Sequence, residues 1–209
     1  LIKTPKRSVI PRSKKQKEYV RSLKSSQIVM SLGPAGTGKT YLSAFDVASF
    51  NPKRCLFVVH RLNIAEAAMK TFKSVLSNDK SFGLYSGNHR DTDANFIFTT
   101  IQTMSRDSHL KQFNNIHFDY IIIDETHRAG AESYKKVLDY FDPEFLLGMT
   151  ATPERTDGLD IFSLFDHTIA YEIRLHQALE ENMLAEFHYY GVQDLTINGE
   201  EVEDKSEFR

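Results

Sequence analysis

The chain has 209 residues, 41% apolar and 26% charged, a globular composition long enough for one good core plus some extra chain. Its formal charge of -2 averages a basic start (Lys3, Lys6, Arg7, Arg12, Lys14, Lys15, Lys17, Arg21, Lys24) with an acidic end, so net charge alone selects no partner. The single cysteine, Cys55, excludes an internal disulfide, and the lack of an apolar run of ~18 residues or a signal-peptide core sets the expectation of a cytoplasmic protein with no membrane role.

The basic stretch 1–27 reads either as a solvated arm or as a contact to a phosphate backbone, and composition does not choose between them. From there, short apolar runs alternate with helical stretches, the pattern of parallel strands covered by helices. Ile28–Leu32 reads as a buried strand, followed by a glycine-rich turn and a helix over 40–49 that Asn51 and Pro52 end. A strand at Cys55–Val59 follows, with Cys55 as a buried thiol. Ile64, Ala67, Ala68, Phe72 and Val75 then recur at helical spacing over 64–76. Strands at Phe82–Tyr85 and 96–99 precede the sharpest one, 120–123, whose four apolar residues stop abruptly at Asp124. A helix over 131–140 and a strand over 145–149 complete the core, with Asp142 and Pro143 turning the chain between them. Beyond Thr152, strand-like pieces fall at 168–173 and 187–192 around a helix at 175–181, and the last dozen residues read as a frayed end or linker.

Two motifs carry chemistry. Gly33-Pro-Ala-Gly36-Thr37-Gly38-Lys39-Thr40 fits the phosphate-loop pattern and lies between a predicted strand and a predicted helix, the context the pattern requires. Its glycines let several backbone N–H groups point at one anion, and the helix adds its positive end. Lys39 is expected at the β- and γ-phosphates and the Thr40 hydroxyl on Mg²⁺. Eighty-five positions further on (124 minus 39), an apolar strand delivers Asp124 and Glu125 to a sheet edge. Asp124 suits Mg²⁺, and Glu125 suits orienting or deprotonating the attacking water. The eight histidines show no ligand-like pair on a helix face and no accompanying cysteine cluster, so they do not suggest a structural metal.

With those residues in view, Asp124-Glu125-Thr126-His127 resembles motif II of superfamily 2 helicases, and Thr150-Ala151-Thr152 resembles their motif III. The stretches 124–130 and 148–158 are similar to the restriction-enzyme-like DEAD/DEAH group, which includes type I and type III restriction motor subunits. The resemblance runs from roughly Gly36 to Val192. It implies an α/β, RecA-like P-loop NTPase fold with a mostly parallel sheet and helices on both faces. It also implies dependence on ATP and Mg²⁺ and movement along nucleic acid, DNA more than RNA. Val58-Val59-His60-Arg61 resembles motif Ia, and Thr99-Thr100-Ile101-Gln102-Thr103 resembles a later phosphate-contacting motif. His60, Arg61, Thr100 and Thr103 thereby become candidate backbone contacts, of a kind that grips phosphate without reading bases. His127, Thr150 and Thr152 resemble residues that couple the nucleotide site to the nucleic-acid groove, and Gln16 is the nearest match to an adenine-reading glutamine.

The resemblance divides the chain into a basic segment 1–27, an ATP-binding lobe 28–173, and an extension 174–209 toward a second RecA-like lobe. That second lobe would supply the arginines that stabilise charge on the transferring phosphoryl group. An arginine finger is worth about 10³ to 10⁵ in rate in related systems, so the isolated piece is expected to bind nucleotide and turn over almost none. The segment before Gly33 also resembles PhoH-like ATPases, which is the alternative reading.

Overall fold

The computed structural model describes residues 2–3, 8–9, 28–32, 38–77, 79–124, 132–150, 169–172, 196–197 and 200–201. In chain order the elements are β1 (Ile2–Lys3), β2 (Ser8–Val9), β3 (Ile28–Leu32), α1 (Lys39–Phe50), β4 (Cys55–Val59), α2 (Leu62–Val75), β5 (Phe82–Tyr85), β6 (Phe96–Thr100), α3 (Ile101–Met104), α4 (Asp107–Leu110), β7 (Tyr120–Asp124), α5 (Glu132–Tyr140), β8 (Phe145–Thr150), β9 (Ile169–Glu172), β10 (Thr196–Ile197) and β11 (Glu200–Glu201). Among the described residues, no helix is long and apolar enough to cross a membrane.

Seven strands form one sheet in the order β5-β6-β4-β7-β8-β3-β9, and every neighbouring pair is parallel. A parallel sheet must be covered on both faces, and two separate clusters of buried side chains do so. Along β4, Cys55, Phe57 and Val59 enter one cluster while Leu56 and Val58 enter the other. β7 divides in the same way, with Tyr120 and Ile122 on the first face and Ile121 and Ile123 on the second. This alternation is the two-residue period of a strand, and it explains why these strands read as unbroken apolar runs.

Helices α1 and α2 cover the first face. α2 contributes Ala65, Ala68, Phe72 and Val75, the spacing of one helix stripe. Phe72 meets Phe57 and Phe98 edge-on at 5.5 and 5.3 Å, while those two rings stack on each other at 5.5 Å. Each such buried ring contributes roughly 1.5–3 kcal/mol through lost water contact. α3, α4 and α5 close the second face through Ile101, Met104, Leu110, Tyr134 and Val137. At the opposite end of the sheet from the strand carboxyl ends, the Asp119 carboxylate accepts the backbone N–H groups of Lys53 and Arg54 at 2.8 and 3.0 Å, fixing the start of β4 against that of β7.

The strands agree with the sequence reading to within a residue or two at their ends. Three features differ from it, the first being the antiparallel pair of β1 and β2, Ile2 with Val9 and Lys3 with Ser8, in the basic stretch read without strands. α3 and α4 were not expected, because four-residue helices are too short to display a hydrophobic period. The hairpin of β10 and β11 pairs Thr196 with Glu201 and Ile197 with Glu200 inside a stretch read partly as linker. Asn198-Gly199 between them is the dipeptide that favours a two-residue hairpin, a signal the acidic composition masked. The helix expected at 175–181 and the strand expected at 187–192 lie outside the described residues.

Candidate functional site

Parallel order puts the carboxyl ends of all seven strands on one edge, and the candidate residues emerge there. α1 begins at Lys39 immediately after Gly38, whose φ of +81° lies in the left-handed region. Only glycine adopts that conformation without strain, so the turn that leads into α1 requires Gly38. No side chain caps α1 at this end, and its first N–H groups are positioned as donors to an anion. Thr40 is half-buried, and its carbonyl accepts the Ser43 hydroxyl at 2.9 Å, holding the first turn in shape.

Asp124 ends β7 and is half-buried. It aligns with Met149 of β8, and Thr150 of β8 aligns with Leu32, the last residue of β3 before the glycine-rich segment. Only β8 separates β7 from β3, so at the usual spacing their ends lie ~10 Å apart. Asp124 continues the phase of Tyr120 and Ile122, which is the face covered by α1; Thr150 continues the phase of Leu146, on the other face. A hydroxyl at the start of α1 and a carboxylate on the face α1 covers are hard oxygen donors, the type that suits Mg²⁺ shared with substrate phosphates.

The other half of the same edge belongs to β4, β6 and β5. His60 and Arg61 follow β4 directly, and Arg61, exposed, stands at the start of α2, which carries no side-chain cap. Val59 aligns with Thr100 on the neighbouring β6. Thr100, Thr103 and Ser86 form a closed triangle of hydroxyls, with oxygen separations of 2.9, 3.0 and 3.1 Å. Thr99 beside them donates to the Tyr85 carbonyl at 2.6 Å. The Arg90 guanidinium sits 5.6 Å from the centre of the Tyr85 ring and donates to the Gly87 and His89 carbonyls. The Tyr85 hydroxyl is 3.0 Å from His109 Nδ1. Burial, then the charges of Arg90 and Arg106, hold His109 below its usual range, favouring the neutral ring.

The sequence reading missed Ser86 and Arg90. Ser86-Gly87 directly after an apolar strand was the available signal, a small polar pair where a parallel strand reaches its reactive edge; Gly87 has φ +60°. Of the expected residues, Gly38, Lys39, Thr40, His60, Arg61, Thr100, Thr103, Asp124 and Thr150 all lie on or beside this one edge. Gln16, Gly33, Gly36, Thr37, Glu125, His127 and Thr152 lie outside the described residues.

The family described as "Type III restriction enzyme, res subunit" matches residues 10–155, well over half of the chain. The chain belongs to this family. The match begins upstream of Gly36, where the motif resemblance starts. The family and the helicase relatives do not favour the PhoH-like alternative. The chain is 28% identical over 171 residues to the putative mitochondrial ATP-dependent helicase irc3 of Schizosaccharomyces pombe, an alignment that covers 77% of this chain and 28% of that protein. It is 31% identical over 182 residues to the type I restriction enzyme EcoAI endonuclease subunit of Escherichia coli, covering 78% of this chain and 21% of that protein. The chain thus spans a minor part of the length of the curated relatives it matches. Among solved structures, a nuclease-deletion mutant of the type ISP restriction-modification enzyme LlaGI in complex with a DNA substrate mimic superposes with a TM-score of 0.63 at 15% identity, covering 85% of this chain and 21% of that one. The shared architecture is a RecA-like α/β lobe.

Proposed function

We propose that this chain is the ATP-binding lobe of an ATP-dependent translocase or helicase that moves along nucleic acid, DNA in preference to RNA. The observation that carries the reading is the single sheet edge that bears both the Gly38-Lys39-Thr40 start of α1 and the Asp124 end of β7, with β8 alone between their strands. Lys39 pairs with the β- and γ-phosphates, and Thr40 and Asp124 would hold Mg²⁺. Glu125 orients the attacking water. Magnesium, when bound, neutralises charge on the phosphates; the loop glycines Gly33, Gly36 and Gly38, with Thr37, provide the backbone donors.

On the β4, β6 and β5 half, Arg61 and the hydroxyls of Thr100 and Thr103 grip the polynucleotide backbone, with His60 beside them. His127, Thr150 and Thr152 couple the two halves. Preference for DNA is supported by the restriction-enzyme relatives and by the DNA-bound LlaGI structure that shares the fold.

The lobe takes residues 28–173, with 1–27 before it and 174–209 leading to a second RecA-like lobe; a longer protein is supported by alignments that cover 28% and 21% of two relatives. That second lobe completes the catalytic cleft, and the whole works in the cytoplasm. The test compares ATP turnover by the 209-residue chain with that of the longer protein, each with and without duplex DNA. Turnover confined to the longer protein and stimulated by DNA is expected. Vigorous DNA-stimulated turnover by the 209-residue chain removes the need for a second lobe, and turnover indifferent to any polynucleotide removes the motor.

A further inference from the structure

Tyr41 stands out among the exposed apolar side chains. Three large hydrophobic residues among the described ones are exposed, Tyr41, Phe50 and Ile116. Phe50 is engaged at the foot of α1, its ring 5.3 Å from Tyr120 and 5.9 Å from Phe145, and Ile116 lies in a loop before β7. Tyr41 is 45% exposed in the first turn of α1, two residues after Lys39. Its ring meets Phe45 at 6.5 Å, tilted by 33°.

Side chains on a helix lean toward its N-terminus and cover the turn before their own Cα. At Tyr41, in the first turn, the surface such a side chain covers is the end of α1 where the proposed triphosphate sits. An aromatic ring exposed there leaves apolar surface in water, which a flat, π-faced partner would cover. The nucleotide has one such part, its base. We propose that Tyr41 is the stacking platform for the base of the bound nucleotide, a positioning residue that adds affinity without discriminating among bases, since every base has a π-face. This rests on the nucleotide site assigned above.

The test measures binding of Mg-ATP, Mg-GTP and inorganic tripolyphosphate to the 209-residue chain and to Tyr41→Ala, Tyr41→Leu and Tyr41→Phe. Tyr41→Ala and Tyr41→Leu are expected to weaken ATP and GTP binding on the order of tenfold and leave tripolyphosphate unchanged, with Tyr41→Phe restoring both nucleotides. Equal weakening of nucleotide and tripolyphosphate means that the ring only props the loop and overturns the proposal, as does unaltered ATP binding in Tyr41→Ala. Tripolyphosphate binding that is lost in Lys39→Ala supports the phosphate site whatever Tyr41 does. A chain that binds none of the three ligands overturns both.

Discussion

Tyr120, the first residue of β7, donates its hydroxyl hydrogen to the carboxylate of Asp46 in the middle of α1. The helix that starts at Lys39 is thereby tied to the strand that ends at Asp124. Both partners are buried, and Phe50 and Phe145 pack around the tyrosine ring. Truncating Tyr120 to Phe leaves a buried carboxylate short of a donor, at a cost of about 1–3 kcal/mol in unfolding free energy. Chemical denaturation of Tyr120→Phe checks this, and a wild-type midpoint would show that the bond carries no stability.

Burial pushes Asp46 from 3.8 up to about 6, with the Tyr120 hydrogen bond pulling the other way. A folded-state value above the unfolded one means that the folded chain holds the proton to higher pH. The associated stability is full below the unfolded value and is lost as pH rises through about 6. A rise of this size corresponds to about 3 kcal/mol. Asp46→Asn is expected to flatten the decline in stability between pH 4 and 7 and to raise stability at neutral pH. Urea unfolding across that range decides the matter, and a slope identical to the wild type would count against it.

At the free edge of the sheet, a methyl group added to Gly83 would lie 2.5 Å from Asp91 Cβ and 2.9 Å from Ala94 Cβ. Those atoms sit close to the backbone of the segment that lies along β5, where the Asp91 N–H donates to the Leu84 carbonyl and the Asp91 carboxylate accepts the Leu84 N–H. Gly83→Ala must push this segment away and expose the strand edge, at about 1–3 kcal/mol. Thermal unfolding should show a lowered midpoint, together with faster amide exchange at Leu84; unchanged exchange would mean that the segment yields at no cost.

In the half of the edge proposed to hold nucleic acid, charge and hydroxyl contacts would be separable by salt. Arg61→Ala is expected to weaken DNA binding and to reduce the salt dependence by about one phosphate contact. Thr103→Val removes a neutral hydroxyl and should weaken binding with the salt slope intact. Titrations at several salt concentrations distinguish the two, and an unaltered slope in Arg61→Ala would remove that residue from the interface.

Much of this was legible in the residues. The uninterrupted runs at 55–59 and 120–123 announce strands buried on both faces, and the motifs after 28–32 and after 120–123 point to the proposed chemistry. What stayed hidden depends on distant parts of the chain. Nothing local says that β7 and β8 insert between β4 and β3, yet that order leaves only β8 between the strand that ends at Asp124 and the strand that precedes the glycine-rich segment. The Ser86, Thr100 and Thr103 triangle joins the residue after β5, the last residue of β6 and a short helix, and Asp46 becomes a buried carboxylate only when α1 packs on Tyr120. Helix periodicity alone would have left Asp46 on either side.

The most direct measurement is a magnesium titration of ATP binding by the 209-residue chain beside Lys39→Ala, Thr40→Ala and Asp124→Asn. Loss of ATP affinity in Lys39→Ala, with loss of the magnesium enhancement in Thr40→Ala and Asp124→Asn, is the expected result. Wild-type affinity in Lys39→Ala, or a full magnesium enhancement in Asp124→Asn, would contradict a nucleotide site shared by α1 and β7.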